Sequence, residues 1–202
     1  VDAMARTRAS DFGEKQHGLL VSAAAVFAEQ GMDKASMAQI ASHSGVSKAL
    51  LYHYYPSKDS LIFAIIHAHL VELEASVAMA VDASLSPEAQ LRVLVGVVLE
   101  KYRGAADAHK VQLVGTAALS DAQKAEIRAV ERQIVRHFAT VLRRVRPELD
   151  DPARPLLMPV TMSLFGMMNW VYMWFRDGGL VTREDYAGVA TTLILEGIRG
   201  VR

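Results

Sequence analysis

Cysteine is absent from the 202 residues. That excludes disulfide stapling, thiolate metal sites and a cysteine nucleophile, and it fits a reducing compartment such as the cytoplasm. Aromatic residues make up only 7%, and the formal net charge is zero. No overall basic excess is therefore available to hold nucleic acid. The first sixty residues balance as well, with Arg6, Arg8, Lys15, Lys34, Lys48 and Lys58 against Asp2, Asp11, Glu14, Glu29, Asp33 and Asp59. Any phosphate-binding face must come from where charges sit. The N-terminus lacks the basic-then-apolar pattern of a secretion signal, and Val1-Asp2-Ala3 are expected to precede the natural start at Met4.

Catalytic patterns are missing too. There is no Gly-rich phosphate loop, no G-x-S-x-G elbow and no H-E-x-x-H. The seven histidines are scattered. His67 and His69 are two apart and point to different helix faces, as do Glu72 and Glu74, so neither pair suits a metal or a carboxylate dyad. No metal site and no cofactor is expected.

What is present is helical periodicity nearly everywhere, with 51% apolar residues to build a core. Leu19, Leu20, Ala23, Val26 and Phe27 form one stripe of a helix over 14–30, stopped at Gly31. Ser36-Met37-Ala38-Gln39 has the capping-box spacing and opens a short helix ending near Ser44-Gly45. Ser47 opens a second short helix, which Pro56 ends. Ser57 caps a long helix from Lys58 to about Val81. Ser86-Pro87-Glu88 begins the next, running to about Tyr102. A short helix near 107–118 and a long charged helix from about Asp121 to Val145 follow. The charges Glu126, Arg128, Glu131, Arg132, Arg136, Arg143 and Arg144 suit a solvated face. Pro147, Pro152, Pro155 and Pro159 mark a kinked junction. An apolar stretch, Leu156 to Phe175, stops at Asp177-Gly178-Gly179. Thr182 starts a last helix to the chain end. The fold class is all-α with about nine helices, divided into residues 10–60 and 61–202.

Residues 36–55 carry the sharpest pattern: two short helices around Ser44-Gly45-Val46, a helix-turn-helix. Gly45 supplies the tight turn. Ile40, Ala41, Val46 and Leu51 have the spacing to face inward. Ser47, Lys48, Ala49, Tyr52 and His53 remain on the open face. Such a helix can enter a major groove. Lys48 can donate to guanine or phosphate, Ala49 can touch a thymine methyl, and Tyr52 and His53 can donate to phosphates. Ser36 and Ser47 lie at helix N-termini that favour anions, and Lys58 can clamp the backbone. Helix pairs with a glycine turn also occur in proteins that never meet DNA, and geometry alone does not separate the two.

The run Gly31-Met32-Asp33-Lys34-Ala35-Ser36-Met37-Ala38-Gln39-Ile40-Ala41, then Gly45-Val46-Ser47-Lys48, Leu51-Tyr52-His53-Tyr54-Tyr55 and Ser57-Lys58-Asp59-Ser60-Leu61, resembles the DNA-binding domain of the TetR family of regulators. The resemblance covers about residues 14–62, and Ala24, Phe27 and Gly31 fit it. Ala49 stands where glycine is frequent, Ser44 where alanine is, and Tyr55 where phenylalanine is. The family's DNA contacts fall on Ser36, Ser47, Lys48, Ala49, Tyr52, His53 and Lys58 as positions matching its motif. The resemblance implies a cytoplasmic homodimer on double-stranded operator DNA, most often a repressor released by a small-molecule effector. It also implies that the last two helices pair across a two-fold axis, with Trp170, Met173, Trp174, Tyr186, Leu193 and Gly197 as interface candidates.

Four of nine methionines fall within residues 158–168, which favours an adaptable apolar cavity. Its candidate lining is Tyr102, His109, Leu113, His137, Phe138, Phe165, Met168, Asn169 and Tyr172, for an effector that is small and largely apolar. Each is equally at home in a plain core. Two rival readings are a helical enzyme and a membrane-associated interaction protein built on residues 156–175, a run long enough to span a bilayer. Its polar residues and amphipathic neighbours suit a soluble fold, so no membrane partner is expected.

Overall fold

Helical periodicity organises the whole molecule. The structure, a computed structural model, describes the backbone of residues 2–201 and the side chains of residue 13 and residues 15–201. The expected start at Met4 and the charged groups of Asp2, Arg6, Arg8, Asp11 and Glu14 lie outside the described side chains. Among the described residues there is no strand, so the fold is all-α.

The chain forms two compact units, one of residues 1–69 with 105–127 and one of residues 70–104 with 128–202. This partition reaches beyond the boundary drawn at residue 60. The first unit contains α1 (Asp2–Gln30), α2 (Met37–His43), α3 (Lys48–Tyr54), the start of α4 (Lys58–Met79), α6 (Ala106–Gly115) and the start of α7 (Asp121–Val145). The second contains the remainder of α4 and α7 together with α5 (Pro87–Gly104), α8 (Leu157–Asn169), α9 (Val171–Trp174) and α10 (Arg183–Gly197).

Three boundaries differ from the sequence reading. α1 begins at residue 2, not near 14, because no proline or glycine interrupts the chain before Gly13 and alanines recur through it. The last helix stops at Gly197 and tightens into a 3₁₀ turn. The apolar run 156–175 is not one helix. It breaks at Trp170, whose N–H is shared between the Gly166 and Met168 carbonyls. Asn169, Trp170, Val171 and Tyr172 are all modest helix formers, so a break there costs little. The helix that is long and apolar enough to cross a membrane is instead α4, and its Leu61, Ile62, Ile65, Ile66, Leu70, Leu73 and Val77 are buried in protein.

In the first unit, Leu19, Ala23, Val26 and Phe27 of α1 join Ile40, Leu51, Ile62 and Val111 in the core. Gly115 lies where no side chain fits. A Cβ there would stand 2.5 Å from Met32 Cε and 2.9 Å from Ile62 Cγ2. In the second unit, α10 packs on α5 and α8. Leu94, Val98, Phe138, Leu142, Leu164, Met168 and Ala190 are fully buried. Buried Gln90 closes the α4–α5 connection by accepting from Asp82 N–H at 2.6 Å and donating to the Ala80 carbonyl at 2.9 Å. Arg183 holds the segment before α10. Its guanidinium donates to both Asp177 carboxylate oxygens, at 2.8 and 2.9 Å, and to the Leu99 carbonyl at 3.0 Å.

Gly115→Val should destabilise the protein by about 2 kcal/mol through overpacking. Gly96→Ala, on a helix with open space around the new methyl, should stabilise it by about 0.5–1 kcal/mol. Chemical denaturation of the two variants checks both signs.

Candidate nucleic-acid interface

The helix-turn-helix is assembled from local hydrogen bonds laid over a small core. Ser36 accepts from the Gln39 N–H at 3.3 Å, and the Gln39 side chain receives the Ser36 N–H at 2.9 Å, completing the capping box of α2. Gly45 has φ +66, the left-handed region that a side chain would strain. The turn closes with the Val46 N–H on the Ala41 carbonyl at 3.0 Å. Ser47 caps α3 by accepting from the Leu50 N–H at 3.1 Å. Leu51 is completely buried against Ile40 and Ala41, which are buried too. At the far end of α3, Tyr55 is buried and its hydroxyl accepts from Gln16 of α1 at 3.3 Å. Burial raises the Tyr55 hydroxyl above the ordinary tyrosine range, so it stays a neutral hydrogen-bonding group.

With its underside fixed, α3 turns Lys48, Ala49, Tyr52 and His53 to solvent, and Ser36 and Ser47 are exposed at the helix starts. Lys48 Nζ lies 5.8 Å from the centre of the Tyr52 ring, a loose contact that a stronger anion can displace. No Asp or Glu occurs from Lys34 to Lys58, so the motif forms a locally basic surface inside a neutral chain. That gap in the acids was legible in the sequence, and counting charges over a wider window hides it. Lys58 is placed differently from the rest. It is part-buried, and its ammonium donates to the Met32 carbonyl at 2.7 Å, with longer contacts to Asp33 O at 3.4 Å and Ala35 O at 3.5 Å.

Residues 19–65 match the model of the bacterial regulatory proteins of the TetR family, and residues 84–198 match the tetracycline-repressor-like C-terminal domain. The chain belongs to the TetR family. It is a DNA-binding transcription regulator, and the family is one of regulators rather than enzymes. A TetR-family regulator from Bordetella parapertussis shares 31% identity and superimposes with a TM-score of 0.80, covering 91% of this chain and 95% of that one. AibR, crystallised with isovaleryl coenzyme A and operator DNA, shares 26% identity at a TM-score of 0.75, covering 89% and 97%. The repressor KstR2 of Mycobacterium tuberculosis is 25% identical over 94% of this chain and 96% of its own length. A shorter match, 34% identical over 82 residues, covers 41% of this chain and only 37% of the activator FasR of Mycolicibacterium smegmatis.

The TetR-like C-terminal domain has two surfaces of interest, both within the second unit. The first is internal. Phe138, Phe165 and Met168 are buried, and the two phenylalanine rings meet edge to face at 5.0 Å. Tyr102 donates its hydroxyl to Asn169 Oδ1 at 2.8 Å across this apolar layer. Burial, with Glu131 nearby, drives the Tyr102 hydroxyl well above the usual tyrosine range, so it is a neutral donor at any physiological pH. His137 and Glu74 meet at 3.3 Å, and Tyr172 is half-buried. Two expected lining residues lie elsewhere. His109 is buried in the first unit, 6.0 Å ring to ring from His69, and Leu113 in the same unit is exposed. His67, expected to be no metal partner of His69, meets Glu126 at 3.3 Å.

The second surface is external. Trp170, Met173, Trp174 and Leu193 are exposed, Leu193 at 60%. Tyr186 is half-buried, donating to the Met167 carbonyl at 3.1 Å with its ring edge-on to Trp174, and Gly197 is exposed. Met158, Met162 and Val189 are also exposed. Met158, Met162, Gly166 and Trp170 recur at four-residue steps, so they share one face of α8. Sequence reasoning missed Met158 and Met162 because an apolar run carries no polar face to orient it.

Gly45→Ala should cost about 1–2 kcal/mol, because alanine must adopt the left-handed conformation of the turn. Thermal unfolding measures the loss, and an unchanged midpoint would contradict a turn locked at positive φ.

Proposed function

We propose that this TetR-family regulator is a homodimeric repressor that reads operator DNA with α3 and lets go when a small, largely apolar ligand enters the second unit. The reading of DNA rests on one observation: Lys48, Ala49, Tyr52 and His53 lie open on a short helix whose other side is locked by Leu51. In this reading the first residues of α3 reach base edges, with Lys48 and Ala49 foremost. Tyr52, His53 and the capping serines Ser36 and Ser47 hold phosphates.

Dimerisation supplies the second half of the site. The exposed apolar face of α8, α9 and α10 supports pairing between two copies, since a contiguous patch of this kind on a soluble protein marks an interaction surface. Two recognition helices about 34 Å apart then match one turn of DNA. The ligand is proposed to lie among Phe138, Phe165 and Met168, with Tyr102 and Asn169 as its polar anchor and His137 and Tyr172 at the margin. It acts by binding one dimer spacing better than the other, and it shifts the equilibrium only by that difference. AibR, with its acyl-coenzyme A and its operator, supports ligand-dependent DNA binding of this kind. The site of action is the cytoplasm, where operator DNA is found, with no membrane partner.

A mobility-shift titration with the DNA upstream of the protein's own gene tests the assignment. Lys48→Ala should weaken operator binding by about tenfold; unchanged affinity and unchanged salt dependence would remove Lys48 from the contact set. Leu193→Glu should give monomers in analytical ultracentrifugation. Operator affinity should then drop by about 100-fold, because the second half-site is no longer tethered to the first.

A further inference from the structure

Lys58 begins α4, where the helix dipole is positive and a cation gains nothing from the helix itself. Its ammonium is turned away from the helix axis onto the loop between α1 and α2. The Met32 carbonyl receives it at 2.7 Å, and Asp33 and Ala35 carbonyls lie at 3.4 and 3.5 Å. An ammonium has three protons, and three acceptors surround it. These carbonyls belong to a non-helical segment, residues 31–36, so no helix ladder holds them. The segment is pinned elsewhere by the Gly31 N–H on the Phe27 carbonyl at 3.0 Å, the Ala35 N–H on the Gly31 carbonyl at 3.1 Å, and buried Ala35. It ends at Ser36, the cap that sets the start of α2, and α2 packs on α3.

We propose that Lys58 is a positioning residue for operator reading: it staples the 31–36 loop to the start of α4, fixes through Ser36 the angle at which α2 carries α3, and makes no phosphate contact. This rests on the reading of α3 as the DNA-contacting helix, and it departs from the phosphate clamp that the family motif assigns to this position. To reach a phosphate the ammonium would abandon three carbonyls and release the loop that orients the motif. A charge that holds the protein and a charge that holds the DNA leave different signatures. Only the second releases counterions from the duplex.

The experiment compares wild-type protein, Lys58→Met and Lys58→Arg on operator DNA and on unrelated duplex across a salt series, well below each unfolding midpoint. Lys58→Met should lower operator affinity by about tenfold while leaving affinity for unrelated duplex and the salt slope unchanged. Lys58→Arg keeps the charge but not the compact threefold donor, so it should fall short of wild type. A salt slope reduced by about 0.9, with both DNAs weakened together and arginine restoring both, would make Lys58 a phosphate ligand and overturn the proposal. A lowered midpoint with operator affinity intact would reduce it to a stability residue and overturn it equally. Should Lys58→Met not fold, the ¹⁵N-labelled Lys58 ammonium of the wild type is followed by NMR. A signal unchanged on adding operator supports the staple, and a through-bond coupling to ³¹P overturns it. Wild-type protein that does not prefer its operator sinks the DNA reading itself, a result distinct from any behaviour of the variants.

Discussion

A helix of seven residues cannot stand alone. Isolated helices shorter than about 12–15 residues are marginal in water, because nucleation fixes many dihedrals for few hydrogen bonds. α3 is such a helix, and everything it does depends on being held by its neighbours. Leu51 is its single buried residue, and Ser47, Gly45 and Tyr55 fix its two ends. Reading a base edge requires placement within about 0.5 Å. The residues that supply that precision are therefore not the ones that touch DNA. This separation leaves Lys48, Ala49, Tyr52 and His53 free to differ between family members without disturbing the fold, and it makes the turn and its caps intolerant.

The parts of the molecule legible in the sequence are those built by short-range chemistry. The capping box of Ser36 and Gln39, the cap at Ser47 and the box of Thr182 and Asp185 each act over three residues, and each is present as the spacing implies. The parts that were not legible depend on distant partners. Lys58 is 26 residues from Met32, and nothing local announces that its ammonium faces carbonyls instead of solvent. The Tyr102–Asn169 bond spans 67 residues. Composition suggested both as candidates for an apolar site, but the same reasoning drew in His109 and Leu113, which belong to the other unit. The run from Leu156 to Phe175 shows the limit most clearly. Its apolar content signalled burial on two sides. With no polar stripe, it could not disclose the break at Trp170 or the face that Met158 and Met162 share.

Charge adds a constraint that ties the DNA surface to the dimer. Non-specific affinity for duplex DNA comes almost entirely from released counterions and grows with the number of cations placed on phosphates. In this chain those cations are few. Acids balance bases over the first sixty residues, and the basic surface is confined to the stretch between Lys34 and Lys58. If the ammonium of Lys58 is spent on the protein's own loop, fewer remain. One copy would then hold DNA weakly, and two copies joined through the exposed face of α8 and α10 would gain by tethering what each lacks in charge. A regulator built this way is little distracted by the excess of non-operator DNA. Its occupancy is governed by the spacing of two reading heads, a quantity that a ligand in the second unit is able to alter. Neutral net charge, which at first argues against a nucleic-acid partner, thus suits a dimer whose control is geometric.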